Sequence, residues 1–387
     1  MSNPNPARGQ DLRLLCLDGG GVRGLSSLHI VKRLMESINL EEPPKPCDHF
    51  DMIGGISTGG LIALMLGRLA MPIDEAIEAY IALSPKIFTK MHHRVTLKGQ
   101  VQGRFDHTAI EEGVGELLDE KGYDRDELLK DCSELGCKTF VCATSKLAAE
   151  TVVLSTYPSR RRGSDLLNIA KVWEVARATS AASSFFDPVI IGNFDFIDGS
   201  TPANNPISEM WTEAFDVFKK GDNWRLEDNI LCLVSIGTGI PAIRSFGDDT
   251  LRLGKALPAI ATDTERRAED FHRHHSHMAQ NRQYFRFNVL WGLESVGLDE
   301  TSKLDQISAC TQKYLQSETV CSAVEACGKR LIARENLQPV IEAAKYIGHQ
   351  ALTASGHILE SENMNSALNC DSDSLSWFTN TSGTKNG

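Results

Sequence analysis

The chain has 387 residues, of which 41% are hydrophobic and 24% are charged, and its formal net charge at pH 7 is −11. This composition excludes an intrinsically disordered chain, and the length is sufficient for one large hydrophobic core with additional segments. The acidic balance argues against a nucleic-acid partner, because phosphate binding needs a clustered basic surface and the one dense basic run, Arg160 to Arg162, is short.

The sequence predicts no route into or across a membrane. Residues 1–11 are polar and lack the apolar core of a secretory signal, and no apolar run reaches the roughly 18 residues that a transmembrane helix needs. The ten cysteines are scattered without a Cys-x-x-Cys pair, which indicates buried thiols rather than a disulfide framework or a zinc site. We therefore expect a cytoplasmic protein that is not secreted and that associates with membranes only peripherally.

Two strand–turn–helix units are predicted near the start of the chain. The first consists of an apolar run from Leu12 to Leu17, a glycine turn at 18–24 and a helical pattern of apolar residues after it. The second consists of an apolar run from Phe50 to Ile56, then Ser57, then an apolar helical stretch from Leu61 to Leu69.

Strand and helix patterns alternate as far as about residue 240. Further strands are predicted at 139–143, 151–156, 194–197 and 230–236, and helices at 73–83 and 172–182. The alternation indicates an α/β fold with a mostly parallel, helix-covered sheet. We expect a polar N-terminal segment (1–11), this sheet domain (12–240), a helical extension packed on it (241–348) and a Ser/Asn-rich low-complexity tail (349–387).

Ser57 stands where a nucleophilic serine is expected, at the end of a strand and directly before a helix. Such a turn is strained and brings backbone segments close together, so Gly55 and Gly59 supply flanking positions without bulk. The helix N-terminus behind the serine also favours a negative charge on its oxygen. A chance Gly/Ser-rich loop is the alternative, and the placement between strand and helix favours the nucleophile.

The turn Asp-Gly-Gly-Gly-Val-Arg-Gly at 18–24 has two interpretations. It satisfies the G-x-G-x-x-G pattern of dinucleotide-binding turns, but the acidic residue expected about 20 positions later, at the end of a second strand, is missing. The alternative is an oxyanion hole built by backbone N–H groups. Arg23 then either adds positive potential or fixes the loop through a surface salt bridge. The residues of this candidate oxyanion hole are Gly19, Gly20, Gly21, Arg23 and Gly24.

No histidine offers a clear general base for Ser57. Four of the eleven histidines crowd between His272 and His277 on a polar helical stretch, with Asp263, Glu265 and Glu269 nearby. A metal site there is disfavoured, because no single helical face collects the ligands, and a solvated or partner-facing helix is the better interpretation. We expect neither a metal nor a cofactor.

A carboxylate is the better candidate for the base. The alternating run Phe194 to Ile197 ends in Asp198-Gly199-Ser200, at the level of the sheet where the other two motifs are expected. A carboxylate in a dry apolar pocket can accept the serine proton directly. The alternative is an Asp-Gly pair that only forms a turn.

Taken together in this order and spacing, the three motifs resemble those of the patatin-like phospholipase family. The resemblance covers roughly residues 12–240 and includes Arg177 to Ala182 and Phe185 to Pro188. It implies a three-layer α/β/α fold with a mostly parallel central sheet, and a catalytic dyad of Ser57 and Asp198 with the glycine turn as the oxyanion hole. The family more often has Gly or Ala where this chain has Ser200.

The resemblance also implies an activity. A calcium-independent phospholipase A would cleave fatty-acyl esters of glycerophospholipids through an acyl-enzyme. Its partners would be the lipid substrate and, transiently, a membrane surface, where Arg160 to Arg162 would either meet anionic headgroups or form a plain exposed loop. An acyltransferase using the same residues and a non-catalytic lipid-binding module remain as alternatives.

Overall fold

The computed structural model describes residues 11–88, 107–131, 136–180, 187–198, 204–240 and 253–332, with only the backbone of Asp198 and of residues 253–263. These residues belong to a single compact unit that ends at Ile332. The predicted N-terminal segment lies outside the described residues except for Asp11, and the predicted tail at 349–387 lies entirely outside them.

The strands in the described residues are β1 Leu12–Leu17, β2 Met52–Ile56, β3 Lys138–Ser145, β4 Thr151–Ser155, β5 Val189–Ile191, β6 Phe194–Asp198, β7 Ile230–Ile236 and β8 Tyr284–Phe287. The helices are α1 Gly24–Ile38, α2 Pro46–His49, α3 Thr58–Ala63, α4 Ile73–Ile87, α5 Thr108–Glu120, α6 Asp165–Ile169, α7 Val172–Thr179, α8 Ile207–Phe218, α9 Leu253–His274, α10 Ser276–Gln280 and α11 Leu304–Leu315. A last helix, α12, covers residues 318–332. A π-helical segment, Leu64–Arg68, continues α3.

All eight described strands form one sheet in the order β5-β6-β3-β2-β1-β7-β8, with β4 paired to β3. Strands β3, β2, β1, β7 and β8 are parallel, whereas β4 and β6 run antiparallel to β3. The prediction of an α/β fold with a mostly parallel sheet is confirmed. Because the carboxyl ends of parallel strands meet at one edge, the segments that follow β1, β2 and β7 come together there.

Helices cover both faces of this sheet, as the three-layer prediction requires. Strand β1 shows why, since its apolar side chains alternate between two hydrophobic clusters. Leu15 and Leu17 pack with helices α1, α3, α4 and α7, and Leu14 and Cys16 pack with helix α8 on the opposite face. Every residue of β1 is buried, which is the pattern of a parallel strand with helices on both sides.

The segment after residue 240, where the sequence predicts a mainly helical extension, also contains a strand. This strand, β8, pairs with β7, so this part of the chain completes the central sheet. The strand is only four residues long and carries Arg286 in its middle, and so gives no clear period-two pattern. Among the helices of the described ranges, none combines the length and apolar character needed to cross a bilayer.

Candidate active site

Ser57 occupies a strained turn between β2 and α3. Its backbone has φ 55° and ψ −129°, a conformation that non-glycine residues rarely adopt. The Ser57 N–H donates a 2.7 Å hydrogen bond to Oγ1 of Thr179, whose hydroxyl donates in turn to the carbonyl of Cys142 at 2.8 Å. Thr179, at the end of α7, thus ties the serine turn to the neighbouring strand β3.

The glycines around Ser57 are required by close backbone contacts. A side chain at Gly55 would collide with the carbonyl of Gly59, and one at Gly59 would collide with the carbonyls of Leu17 and Asp18 at the end of β1. The glycine spacing therefore allows α3 to begin directly against its own strand and against the next one. This is the physical reason for the motif that the sequence shows.

The pairing of β3 brings β6 to the end of β2. Residues 140–142 of β3 pair with both β4 and β2, and residues 143 and 144 of β3 pair with both β4 and β6. Because a strand has only two edges, β4 lies on one edge of β3, and β2 and β6 follow one another along the other edge. Ile56, the last residue of β2, is opposite Cys142, and Asp198, the last residue of β6, is opposite Ala143. The backbones of Ser57 and Asp198 therefore meet at neighbouring positions along β3. Gly199 and Ser200 lie outside the described residues.

The glycine turn after β1 lies directly beside Ser57, because β1 and β2 are paired with Leu17 opposite Gly55. A Cβ added to Gly19 would lie 2.8 Å from the Cβ of Ser57. Gly21 has a φ of +59°, and a side chain there would collide with the carbonyl of Leu298. A Cβ at Gly20 would likewise collide with the Thr238 side chain, so all three glycines meet steric demands that a larger residue would violate.

Four of the five backbone N–H groups predicted for the oxyanion hole already have acceptors, those of Arg23 and Gly24 within the turn itself. Gly19 donates to the backbone carbonyl of Asn204 at 3.1 Å, and Gly20 donates to the Thr58 hydroxyl at 3.0 Å. Gly21 is the first residue of a 3-10 turn, so its N–H has no acceptor within that turn. The N–H group that can donate to an oxyanion is therefore that of Gly21. The N–H of Gly20 becomes a second donor when the oxyanion takes the place of the Thr58 hydroxyl as its acceptor.

The carbonyls of the turn are held by four side chains. Asn204 Nδ2 and the Thr238 hydroxyl donate to the carbonyl of Gly19 at 2.8 and 3.0 Å, and the Tyr80 hydroxyl donates to the carbonyl of Gly21 at 2.6 Å. The fourth side chain, Arg23, donates from Nε to the carbonyl of Gly20 at 3.5 Å. The hydrogen-bond donors of these side chains fix the peptide planes of the turn.

Arg23 is buried, and burial lowers its pKa to about 10. Its side chain binds a carbonyl inside the turn, so the alternative of a surface salt bridge that the sequence left open does not describe it. In a trans peptide the carbonyl and the following N–H point in opposite directions. By holding the carbonyl of Gly20, Arg23 therefore directs the N–H of Gly21 to the other side of the turn.

Sequence reasoning did not identify Tyr80, Thr179, Asn204 or Thr238 as parts of this site. Thr238 had one usable signal, because it follows β7 as Ser57 follows β2, at the same edge of the sheet. Tyr80 lies in the middle of a helix and had no such signal. The dinucleotide interpretation loses support here, because the N–H groups of Gly19 and Gly20 are occupied within the protein.

The remaining predicted clusters lie away from Ser57. The His275 ring packs at a tilt against Trp211 and Phe271, and its Nδ1 lies 3.5 Å from a carboxylate oxygen of Glu227. In the part of the chain that the structure describes, no group of three or more His, Cys, Asp or Glu side chains is arranged to hold a metal ion.

The arginine run at 160–162 follows β4, whose end pairs with the start of β3, so it lies at the sheet edge opposite to Ser57. Arg161 pairs with Asp216, and Arg162 pairs with Glu213. Two of the three arginines are thus engaged by carboxylates of α8, which favours the loop interpretation over contact with lipid headgroups.

Comparisons with known proteins agree on one family. A family model described as patatin-like phospholipase matches residues 15–211. Calcium-independent phospholipase A2-gamma from Rattus norvegicus is 28% identical over 328 residues, covering 81% of this chain and 39% of that protein. Phospholipase A I from Arabidopsis thaliana is 27% identical, covering 80% of this chain and 27% of that protein. Patatin-like protein 4 from Arabidopsis thaliana is 29% identical, covering 62% of each. The chain thus spans about two fifths of the length of the mammalian relative.

Proposed function

The chain belongs to the patatin-like phospholipase family, and on that premise we propose that it is a lipid acyl hydrolase of the calcium-independent phospholipase A type. Its substrates would be fatty-acyl esters of glycerophospholipids. Ser57 is the proposed nucleophile and Asp198 the proposed base. The observation that supports this most directly is the meeting of the Ser57 and Asp198 backbones at neighbouring positions on β3, with the glycine turn alongside.

The proposed reaction has two halves. Asp198 accepts the proton of the Ser57 hydroxyl as its oxygen attacks the ester carbonyl, and the negative oxygen is held by the N–H groups of Gly21 and Gly20. When this intermediate collapses, the departing lysophospholipid oxygen takes the proton from Asp198. A water molecule then gives a proton to Asp198 and attacks the acyl-enzyme. When the second intermediate collapses, the Ser57 oxygen leaves and takes that proton from Asp198, which releases the fatty acid and restores both residues.

Hydrolysis of phospholipid vesicles with mass-spectrometric product analysis tests this proposal. Ser57→Ala and Asp198→Asn should each reduce release of fatty acid by at least about a thousandfold. Asp195→Asn, at an exposed position on the same strand as Asp198, is the matched control and should retain wild-type activity. Wild-type rates in the Ser57→Ala or Asp198→Asn variant would exclude the dyad.

Two further outcomes identify the alternatives. Transfer of the acyl chain to an added alcohol in preference to water would indicate an acyltransferase. Binding of lipid without turnover, together with no reaction between Ser57 and a fluorophosphonate probe, would indicate a lipid-binding module.

The proposal includes transient contact with a membrane surface from the cytoplasmic side, and no role for nucleic acid. Exposed apolar side chains at the edge of the sheet that carries Ser57 support the membrane contact. Trp291 and Leu290, which are 79% and 46% exposed, follow β8, and Leu147, which is 98% exposed, follows β3. Aromatic and aliphatic side chains in such positions are suited to the interfacial region of a bilayer.

A further inference from the structure

The glycine turn is held in part by a segment of the chain that lies outside the matched family region of residues 15–211. Thr238 follows β7 and donates to the carbonyl of Gly19. The carbonyl of Leu298, in the segment between β8 and α11, accepts a 2.9 Å hydrogen bond from the N–H of Val22. The later part of the chain therefore contacts the turn that carries the proposed oxyanion donors.

The strongest of these links is an ion pair between β8 and the first residue of the turn. Arg286 Nη2 donates to Asp18 Oδ2 at 2.7 Å and to Glu265 Oε1 at 2.7 Å, and Nη1 donates to the Ser235 hydroxyl at 2.9 Å. Asn288 also donates to Glu265, at 2.7 Å. Arg286 thus joins β1, β7 and α9 from its position on β8.

Asp18 depends on this partner because its side chain is completely buried. A buried carboxylate without a counter-charge is strongly unfavourable, and removal of one partner of such a pair leaves the other uncompensated. The backbone of Asp18 is fixed as well, since its N–H donates to the carbonyl of Ile236 at 3.0 Å. A displaced Asp18 would carry Gly19 with it, and Gly19 lies against Ser57.

We propose that Arg286 is a positioning residue for the catalytic centre: by holding the buried Asp18 carboxylate, it sets the place of the glycine turn beside Ser57. This inference rests on the proposed function and extends it, because it makes β8 a part of the catalytic machinery. Arg286 touches neither the substrate nor the reacting atoms. Its influence passes through Asp18 to Gly19 and Gly20.

Steady-state kinetics of the full-length Arg286→Met variant test this proposal. Misplacement of an oxyanion donor by a fraction of an ångström lowers the rate of the chemical step, so we expect kcat to fall by about 10- to 100-fold while KM changes little. Arg286→Lys keeps the charge but cannot bridge Asp18 and Ser235 as a planar guanidinium does, and should restore only part of the activity.

Arg162→Met is the matched control for stability. It breaks another arginine pair with a buried carboxylate, Glu213, at the edge of the sheet opposite to Ser57. We expect both Met variants to melt at a lower temperature than wild type, and only Arg286→Met to lose kcat when assayed well below both melting temperatures. Equal kcat values in the two variants would overturn the proposal, because Arg286 would then be only structural.

A double-mutant cycle with Asp18→Asn separates action through Asp18 from other effects, and the kcat of Asp18→Asn alone, which should also fall, provides a second route if Arg286→Met does not fold. The Asn variant removes the buried charge and keeps the size of the side chain. If Arg286 acts through Asp18, the double variant should lose no more kcat than the more impaired single variant. Multiplicative losses would contradict the proposal.

The rate of Ser57 labelling by a fluorophosphonate probe distinguishes failure of this inference from failure of the proposed function. If wild type labels but does not hydrolyse lipids, the proposed substrate is wrong, and a slower labelling of Arg286→Met would still support the positioning role. If wild type neither labels nor hydrolyses, both proposals fail.

Discussion

Gly19 lies directly against the side chain of Ser57, so close that a Cβ at Gly19 would be 2.8 Å from the Cβ of the serine. The two residues belong to different strand–turn–helix units that are separated by 38 positions in the sequence and joined by the pairing of β1 with β2. The contact links the proposed nucleophile to the turn with the proposed oxyanion donors. A change in the size of either residue therefore displaces the other.

Gly19→Ala should inactivate the protein and also destabilise it. The added methyl group would collide with the amide oxygen of Asn204 and crowd Ser57, so the turn must move. We expect activity on lipid esters to fall by at least about 100-fold and the free energy of unfolding to fall by about 1–3 kcal/mol. Gly163→Ala is the control, because no atom lies within 4 Å of a Cβ at that position. Full activity in Gly19→Ala would show that the turn does not need to approach Ser57.

Thr179→Val should weaken the serine turn without changing the volume of the side chain. The Thr179 hydroxyl is the acceptor for the N–H of Ser57 and a donor to the carbonyl of Cys142. Its loss removes the acceptor of the Ser57 N–H and a donor to the Cys142 carbonyl, which costs about 1–3 kcal/mol of stability. The strained φ of Ser57 then has less support, so labelling by a fluorophosphonate should slow as well. Thr179→Ser keeps the hydroxyl and loses only a buried methyl group, so it should be labelled at the wild-type rate and be more stable than Thr179→Val.

The stability of the protein should contain a pH-dependent contribution from Asp18. Burial raises the pKa of Asp18 from its ordinary value of 3.8 to about 6, and the charge of Arg286 limits the rise. Glu265, Cys16 and Tyr284 also face this carboxyl. Between about pH 4 and pH 6 the folded state keeps a proton that the unfolded state has released. The contribution of Asp18 to stability is therefore lost as the pH rises through this window, by about 3 kcal/mol.

Urea denaturation of wild type and Asp18→Asn at about pH 4 and about pH 7 measures this contribution. Asparagine does not titrate, so the stability of the variant relative to wild type should increase by roughly 3 kcal/mol between the two pH values. A difference that stays constant with pH, or that changes in the opposite direction, would contradict the assignment to Asp18.

Leu290→Ser combined with Trp291→Ser should reduce association with phospholipid vesicles. Both side chains are exposed at the carboxyl edge of the sheet, where they would enter the bilayer interface while Ser57 reaches its substrate. We expect vesicle binding and vesicle hydrolysis to fall by about tenfold, with hydrolysis of a soluble short-chain ester unchanged.

Leu40→Ser is the control for this membrane contact. Leu40 is 71% exposed and follows α1, which returns the chain to the amino ends of the parallel strands. Its substitution should leave vesicle binding intact. Equal losses of binding in the Leu40 variant and in the Leu290/Trp291 double variant would show that no particular face of the protein meets the membrane.

Much of the fold could be predicted from the sequence because local patterns carry it. Apolar runs followed by glycine turns and helical periodicity give β1, β2 and the helices after them. Strands β5 and β8 were not predicted, because strands of three or four residues are too short to show the period-two alternation of apolar side chains. The position of β8 depends instead on its pairing with β7, a contact made across about 50 residues of sequence.

For the site, the sequence by itself determined which residues have the chemistry and the backbone freedom that the proposed reaction needs: Ser57 before a helix, the glycines of two turns and an aspartate at a strand end. Only the tertiary structure decided which of them meet, and what holds them. The pairing of β3 brings the ends of β2 and β6 together, and Arg286, Thr238 and Asn204 reach the glycine turn from distant elements. Hydrogen bonds and ion pairs between residues far apart in the chain produce no periodic pattern in the sequence, because tertiary packing determines which residues become partners.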